Sequence, residues 1–439
     1  MTVVKIKSRL LTLVSLVTAI SVVSGVSSAR ADLKSYLAKP EPAFKWEKRG
    51  EKHENGVTIY DMHYTSQTWQ GMNWEHRLMI FRPDENETPH FCMIYNTGGN
   101  GGGAENTMMG TLLAKRTKMT YAIVFNSPNQ PLYGGKTEDA LIVYTWQKYM
   151  ETGDESWPLH FPMAKGVIKG MDVVQEFAKS EKMPDIDSFI VHGASKRGWT
   201  TWLVGASQDK RVKAIAPMVI DTLNVIKQMP HQLEAFGGKP SEQIGDYSAG
   251  GMLTMLNSPR GKRLMELEDP ISYKDILTLP KLIILGTNDR YWAQDALNLY
   301  WDDLKGPKWV TYTPNSGHGL EDREHVFATL SSYGRMIAGG KKWPKMTWGY
   351  QPESEGTKLS VNSDTKLVGF RLYRASAPTQ DLRDAKWSFE EIAPTGKTAT
   401  ATWKSPESGY TAVFGEAIYE LEGQKYSIST QVRILGKGK

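Results

Sequence analysis

Two kinds of hydrophobic pattern divide the chain after its N-terminal segment. Between residues 44 and 82, apolar and polar residues alternate over short stretches such as V-T-I-Y-D-M-H-Y, which is typical of antiparallel strands. Farther along, unbroken apolar runs alternate with longer helical patterns, and these runs are Phe91–Tyr95, Tyr121–Phe125, Phe189–Val191, Val212–Ile220, Leu282–Leu285 and Trp309–Tyr312. Apolar strands separated by helices predict an α/β fold with a doubly wound, mostly parallel sheet.

Three further changes of pattern suggest how the chain is organised. Helical spacing is clearest over 163–178, where apolar residues recur every three to four positions. The segment 222–280 contains amphipathic stretches without a clear strand, and we predict a helical, lid-like insertion there. After a core domain over 32–344, strand-like stretches separated by turn signals predict a small all-β sandwich over 345–439.

The first 31 residues have the pattern of a secretory signal. A basic start is followed by the apolar stretch Leu10–Val26, and Ala29-Arg30-Ala31 supplies a small-x-small cleavage site. An uncleaved membrane anchor is the alternative interpretation. We expect cleavage and export to the periplasm or the medium. Because no second long apolar run follows, we expect no stable membrane insertion of the mature chain.

Composition narrows the classes of partner and cofactor. Hydrophobic residues make up 40% of the 439 residues and charged residues 23%, as in ordinary globular proteins. The net charge of +5 arises largely from the signal-like segment, so bulk electrostatics do not favour nucleic-acid binding. The single cysteine, Cys92, lies in an apolar run and is expected to be a buried, inert thiol. No metal-ligand spacing appears, and we predict neither a metal nor a cofactor.

The stretch F-I-V-H-G-A-S-K-R-G-W-T-T-W carries the first candidate for chemistry. A catalytic serine on an α/β sheet occupies a sharp strand-to-helix turn, which needs small neighbours and usually reads G-x-S-x-G. Gly193, Ala194 and Ser195 match the first half, whereas Arg197 replaces the second glycine and Gly198 follows one residue later. A serine that merely caps the following helix is the alternative interpretation.

Two later strand ends supply the partners that a nucleophilic serine needs. The strand L-I-I-L-G runs into a polar loop at Asp289, and W-V-T-Y-T runs into a loop at His318. The order Ser, then acid, then His matches serine hydrolases built on such sheets. We therefore predict a catalytic triad of Ser195, His318 and Asp289.

Other residues compete for these roles. Asp221 follows an earlier apolar strand and is the main alternative for the acid. His192 precedes the serine turn on its own strand, and His325 is predicted to lie on the final helix, so both fit the base less well.

A glycine-rich loop provides candidates for an oxyanion hole. One backbone N–H donor is expected from Lys196, the residue after the serine. The second is expected from the loop I-Y-N-T-G-G-N-G-G-G, where Thr97, Gly98 and Gly99 are the candidates because glycine lets a backbone approach a substrate closely. No phosphate-loop lysine follows, so a nucleotide site is not predicted.

The two cations after the serine also need an explanation. Lys196 and Arg197 begin a predicted helix, whose N-terminus already carries a partial positive charge and therefore disfavours cations. We hypothesise that one cation adds positive potential near the oxyanion or contacts an acidic substrate group. The other is expected to pair with a buried carboxylate, with Glu138 and Asp139 as the candidates.

At this point the chain resembles the PhoPQ-activated pathogenicity-related protein family. The stretches that carry the resemblance are N-Q-P-L-Y, E-D-A-L-I-V-Y-T-W, G-A-S-K-R-G-W-T-T-W, D-K-R-V-K-A-I-A-P-M-V-I-D, D-P-I-S-Y and P-N-S-G-H, in this order. The resemblance implies an α/β-hydrolase core with a C-terminal β-rich domain, and it implies that Arg197 is a family trait. It implies a hydrolase without specifying a substrate. Arg290 and Tyr291-Trp292 depart from the family's usual acidic residue and Phe-Phe, which suggests an altered pocket rim.

The predicted function is an exported serine hydrolase that cleaves an ester or an amide. Candidate substrate-binding residues are Lys196, Arg197, Trp199, Tyr291 and Trp292. The lid-like insertion and the tryptophans favour a bulky or sugar-like substrate, and the G-x-S-[KR]-x-G turn resembles that of glucuronoyl esterases. Small-molecule, glycan-ester and peptide substrates all remain open.

Two alternatives stay beside this prediction. The first is an aminopeptidase- or dipeptidyl-peptidase-like activity of the same triad. The second is an exported binding or virulence-related protein that uses a hydrolase scaffold without catalysis, because a fold does not guarantee an activity.

Overall fold

The computed structural model describes Met1 and residues 32–353 and 356–436. The signal-like segment, apart from Met1, lies outside the described residues, so its cleavage and the export of the chain remain predictions. Within the described residues, helices and strands alternate from residue 91 to residue 338, and strands dominate on either side.

The fold is built on one large sheet with parallel strands in its middle. In the described part of the chain this sheet has 14 strands, and a separate sheet has three. The strands are β1 (Lys45–Glu54), β2 (Val57–Trp69), β3 (Met72–Pro83), β4 (Phe91–Asn96), β5 (Thr120–Val124), β6 (Ser188–Ala194), β7 (Val212–Met218), β8 (Lys281–Gly286), β9 (Lys308–Thr313), β10 (Met346–Glu353), β11 (Gly356–Ser363), β12 (Gly369–Ala377), β13 (Ser388–Glu391), β14 (Thr398–Lys404), β15 (Tyr410–Leu421), β16 (Gln424–Ser429) and β17 (Arg433–Gly436).

The strand order explains how the candidate residues come together. The large sheet runs β1-β2-β3-β5-β4-β6-β7-β8-β9-β16-β15-β12-β13, with β17 paired to β15. The pairs from β5·β4 through β8·β9 are parallel, whereas β1, β2 and β3 are antiparallel to their neighbours. Parallel strands end at one edge of a sheet, so the loops after β4, β6, β8 and β9 lie at the same edge.

Helices cover both faces of the parallel strands. They are α1 (Leu33–Leu37), α2 (Ala104–Thr117), α3 (Glu138–Thr152), α4 (His160–Ser180), α5 (Lys196–Ala206), α6 (Val225–Ala235), α7 (Gly245–Ala249), α8 (Met252–Met255), α9 (Pro259–Glu268) and α10 (Arg323–Ala338). Along β4, Cys92 and Ile94 pack into the core on one face, and Met93 packs into the core on the other. The predicted doubly wound α/β-hydrolase fold is confirmed, and Cys92 is buried as expected.

Two segments are added to this core. Helices α6 to α9 lie between β7 and β8, over the segment predicted to be a helical insertion. The C-terminal strands form two layers, in which Leu359 of β11 packs into the same core as Phe370 of β12 and Val413 of β15.

The C-terminal layers are joined to the core more directly than the sequence suggests. Strand β16 pairs with β9 through Ser429 and Val310, so one layer continues the central sheet. The predicted sandwich over 345–439 is therefore not separated from the core sheet. The physical reason is that β9 would otherwise leave an unpaired edge, which the C-terminal strands cover.

Candidate active site

The turn after β6 has the strained geometry of a nucleophile elbow. Ser195 has φ 59° and ψ −129°, and its side chain makes no capping hydrogen bond to α5. A Cβ on Gly193 would lie 2.4 Å from Asn96 Nδ2, and one on Gly198 would lie 2.7 Å from the Met218 carbonyl oxygen. Both positions therefore require glycine, and Gly198 meets the packing constraint although it is displaced by one residue from the usual pattern.

The predicted base and acid are in contact. Asp289 follows β8 and His318 follows β9, and His318 Nδ1 lies 2.8 Å from Asp289 Oδ2. The other carboxylate oxygen accepts a 3.0 Å hydrogen bond from the backbone N–H of Tyr291. A neutral imidazole that donates from Nδ1 keeps Nε2 as a proton acceptor, which is the tautomer a general base requires.

Tyr291 links this pair to the serine. Its ring centroid lies 4.3 Å from that of His318, and its side chain lines the same cavity as Ser195. Ser195 and the His318–Asp289 pair thus lie at one edge of the sheet, and Tyr291 contacts His318 while lining the same cavity as Ser195.

The competing residues are engaged elsewhere. Asp221 accepts a 2.7 Å hydrogen bond from the Tyr300 hydroxyl, and its burial raises the pKa of its carboxyl to about 7. His192 is bonded to the Tyr121 hydroxyl at 2.9 Å, and burial lowers its pKa to about 3. His325 lies in the first turn of α10, on the helix predicted for it, and its Nε2 lies 3.2 Å from the Ser427 hydroxyl.

The predicted oxyanion donors differ in availability. The backbone N–H of Thr97 already donates to the Val124 carbonyl at 2.9 Å, so its prediction as an oxyanion donor is wrong. The N–H of Lys196 lies in the first turn of α5, where no intrahelical acceptor exists. Within the described residues no acceptor is recorded for the N–H groups of Gly98 and Gly99, so these two and Lys196 are the remaining candidates.

Arg197 packs against this loop and bonds to groups of the protein. Its guanidinium makes hydrogen bonds of 2.7 and 2.8 Å with Glu138 and one of 2.5 Å with the Ser127 carbonyl. A Cβ on Gly98 would lie 2.3 Å from the same guanidinium. Because Arg197 is buried and its three donor groups are occupied, its prediction as a substrate-binding residue is corrected to a supporting role.

Lys196 faces the cavity, but its charge is compensated. Its Nζ lies 2.9 Å from Glu138 and 3.2 Å from Asp139, the two carboxylates considered from the sequence. Burial alone would raise the pKa of Glu138, but the adjacent cations hold that pKa well below its usual range. Asp139 also accepts hydrogen bonds from the hydroxyls of Tyr247 at 3.3 Å and Tyr291 at 3.4 Å.

A cavity of about 60 Å³, measured as the space open to the centre of a water-sized sphere, lies beside Ser195. The predicted residues Lys196, Trp199, Tyr291 and Trp292 line it together with the serine. The insertion contributes a second group of mostly apolar side chains, namely Val225, Met229, Ile244, Tyr247, Met252 and Leu256. The insertion therefore covers the site, as the sequence suggests.

Sequence reasoning missed the residues that hold the catalytic loops from outside. Asn288, next to Asp289, donates hydrogen bonds of 3.0 and 2.8 Å to the backbone carbonyls of Arg383 and Ala385. Asn315, just before His318, exchanges two hydrogen bonds with the backbone of Trp387 at 2.9 and 2.8 Å. In the sequence, the only indication of these contacts is an asparagine close to each candidate, Asn288 before Asp289 and Asn315 before His318.

The described residues form neither a metal-binding cluster nor a helix that could span a membrane. They contain no group of three or more His, Cys, Asp or Glu side chains arranged to hold a metal ion. None of their helices combines the length and apolar character needed to cross a membrane.

Several solved structures are similar to the chain. The solved structures similar to the chain include acetyl xylan esterase 1 from Thermoanaerobacterium sp. JW/SL YS485, at 15% identity over 67% of this chain and 90% of that chain with a TM-score of 0.48. They also include an S-formylglutathione hydrolase from Agrobacterium tumefaciens, at 14% identity over 67% of this chain and 99% of that chain with a TM-score of 0.46.

Sequence similarity extends over most of the chain. Autocrine proliferation repressor protein A from Dictyostelium discoideum is 29% identical over 441 residues, which cover 91% of this chain and 88% of that protein. The family described as PhoPQ-activated pathogenicity-related protein matches residues 33–384. The chain belongs to the PhoPQ-activated pathogenicity-related protein family.

Proposed function

We propose that this protein is an exported serine hydrolase that cleaves esters through an acyl-enzyme intermediate. The observation that carries the proposal is the positive-φ Ser195 at the strand-to-helix turn, at the same sheet edge as the His318–Asp289 hydrogen bond. Holding a non-glycine residue in such a conformation costs about 1–3 kcal/mol, and strain of this kind is concentrated at functional sites.

The reaction follows from these positions. His318 Nε2 accepts the proton of Ser195 Oγ while Oγ attacks the ester carbonyl carbon, and Asp289 stabilises the resulting imidazolium. The oxyanion accepts hydrogen bonds from the backbone N–H of Lys196 and from the Gly98–Gly99 loop. His318 then returns the proton to the departing alkoxide. In the second half of the reaction His318 accepts a proton from water, the hydroxide attacks the acyl carbon, and Ser195 Oγ leaves with the proton that His318 returns, which releases the carboxylic acid.

An ester substrate is favoured over the N-terminus of a peptide. An aminopeptidase must bind the substrate's ammonium group, and Asp139 is the only carboxylate among the described cavity-lining residues. Because Lys196 already lies 3.2 Å from Asp139, a second ammonium group would meet like charge there. A protein without catalytic activity would need neither the strained turn at Ser195 nor the hydrogen bond that orients His318.

A fluorophosphonate probe tests the nucleophile directly. The wild type is expected to be labelled, whereas Ser195→Ala is not. Ser207→Ala is the matched control, because Ser207 caps the other end of the same helix and should leave labelling intact. Labelling of Ser195→Ala, or no labelling of a folded wild type, would overturn the proposal. N-terminal sequencing of the exported protein tests export, with Asp32 as the expected first residue.

A further inference from the structure

The cavity leads away from the nucleophile toward an apolar end. Helix α3 carries Asp139 near Lys196 and carries Trp146 two turns later, about 10 Å farther along the helix axis. Both residues line the cavity, so one wall runs from a charged end beside Ser195 to an aromatic end. Met252 and Leu256 from the insertion also line the cavity.

The polar groups at the charged end already satisfy one another. Asp139 accepts from Lys196, Tyr247 and Tyr291, and Lys196 also pairs with Glu138. A substrate group with several hydroxyls would therefore lose water and gain few free partners, because Trp292 Nε1 is the only buried, unpartnered side-chain polar atom among the described cavity-lining residues. Unpaired burial of polar groups is costly. The cation beside the nucleophile does not make this cavity a receptor for acidic or sugar-like acyl groups.

The indole N–H groups of the inner wall are satisfied by a single residue. Trp146 Nε1 donates to the Glu268 carboxylate at 3.1 Å, and Trp199 Nε1 donates to the Glu268 backbone carbonyl at 2.5 Å. His160 is also bonded to this carboxylate, and its ring stacks on Trp199 at 4.6 Å. Glu268 and His160 are fully buried. The N–H groups of both tryptophans therefore donate to Glu268, and the apolar carbon atoms of their rings are left to contact a ligand in the cavity.

We propose that this cavity binds an apolar acyl group larger than acetyl, and that Glu268 is the positioning residue that fixes its inner wall. The inference rests on the proposed serine hydrolase. The preferred substrates are esters of medium-chain or arylalkyl carboxylic acids. The alcohol side of the ester lies toward the solvent-open end.

A series of p-nitrophenyl esters from acetate to decanoate, with phenylacetate, tests the substrate class. Burial of each methylene is expected to raise kcat/KM about fourfold until the cavity is filled. Acetate should be among the poorest substrates, and a benzyl ester of glucuronic acid should be poorer than hexanoate at matched concentration. A preference for acetate or for the glucuronate ester would overturn the inference.

Two variants of the cavity wall change its length in opposite directions. Trp146→Ala should move the optimum toward longer acyl chains, and Leu256→Trp should move it toward shorter ones. Trp348→Ala is the control, because this half-buried tryptophan lies on β10, outside the cavity lining. If both wall variants keep the wild-type chain-length profile while folded, the cavity does not hold the acyl group.

Glu268→Gln tests the positioning role. Glutamine keeps one oxygen for Trp146 and His160, which both bond to Glu268 Oε2, and it places an amide NH₂ group where the buried Oε1 has no hydrogen-bond partner. The ratio of kcat/KM for hexanoate to that for acetate should fall about tenfold, chiefly through KM. A purely structural role would lower both substrates equally, together with the melting temperature, and would refute the positioning role. If Ser195-dependent hydrolysis of every ester is absent, the proposed function itself fails.

Discussion

Two segments added to the hydrolase core contact the candidate active site in different ways, although they also contact each other through the ion pair of Arg383 with Glu242. The lid segment, residues 222–280, places mostly apolar side chains in the cavity beside Ser195. The brace segment, residues 378–387, contributes none of the described cavity-lining residues and instead bonds to Asn288 and Asn315 through its backbone. The lid segment therefore influences what is bound, whereas the brace segment influences how precisely the catalytic loops are held.

The two segments should affect different kinetic constants. Side chains of the lid segment touch the bound acyl group, so their removal should act on KM and on chain-length preference. The brace segment holds the loops that carry Asp289 and His318, so its loss should act on kcat. Variants of the two segments should thus be distinguishable in steady-state kinetics.

The largest effect on kcat is expected for Asp289, the proposed acid of the triad. Asp289→Asn should lower kcat about 10³- to 10⁴-fold, because the imidazole loses its correct tautomer and its stabilising charge. Asp221→Asn is the matched control and should keep most activity, since Asp221 bonds to Tyr300. Equal losses in the two variants of a folded enzyme would contradict the assignment of the triad.

A moderate effect is expected when the brace segment is released. Asn288→Ala removes two hydrogen bonds to the backbone of that segment and should lower kcat about tenfold, because a misplaced catalytic group is costly. The chain-length profile should stay that of the wild type. Asn362→Ala, at an exposed position on β11, is the control. A changed profile with unchanged kcat would reverse the roles given to the two segments.

A smaller effect is expected in the lid segment. Tyr247→Phe removes one 3.3 Å hydrogen bond to Asp139 and should raise KM up to about fivefold. This factor corresponds to the net free energy of a typical hydrogen bond, about 1 kcal/mol. The change in kcat should be smaller than the change in KM. Initial-rate measurements with hexanoate check this, and a loss confined to kcat would show that Tyr247 acts on the catalytic loops instead.

The smallest effect on activity is expected for Asp221, which immediately precedes the lid segment, but its effect on stability should be clear. Burial raises the pKa of its carboxyl from 3.8 to about 7, so the folded state favours the protonated form. The folded protein therefore loses stability as pH rises from about 4 to about 7. Asp221→Asn should remove this loss.

The Asp221 effect can be measured as a difference between two melting temperatures. The gain in melting temperature of Asp221→Asn over wild type should be larger at pH 8 than at pH 5. Because both proteins share all other titrating groups, the difference isolates this carboxyl. A gain that shrinks as pH rises would show that the carboxylate form is favoured in the folded state.

Local patterns were sufficient to predict the core strands and the loops that carry the three candidate residues. Each of the six apolar runs became a strand, from β4 to β9, and the helical spacing over 163–178 lies within α4. Ser195, Asp289 and His318 were found because each follows such a run. The hydrogen bond between Asp289 and His318 was the expected consequence of parallel strands that end at one edge.

Long-range contacts explain where sequence reasoning was wrong or silent. Thr97 was a reasonable oxyanion donor until its N–H was seen to bond to Val124 of the neighbouring strand. Arg197 was assigned to substrate binding, but its partner Glu138 lies on α3, 59 residues away along the chain. The pairing of Thr97 leaves no trace in the residues beside it. For the two cations the sequence offered Glu138 and Asp139 as candidate partners, but it did not show which cation binds which carboxylate.

The sequence by itself determined the parallel sheet, the strained serine turn and the edge at which the catalytic residues meet. These features follow from the periodicity of apolar residues and from the need for glycine at two crowded positions, which are local constraints. Only the tertiary structure decided the roles of the two adjacent cations. Lys196 faces the cavity and Arg197 lies beneath the oxyanion loop because the carboxylates of α3 pack against the start of α5.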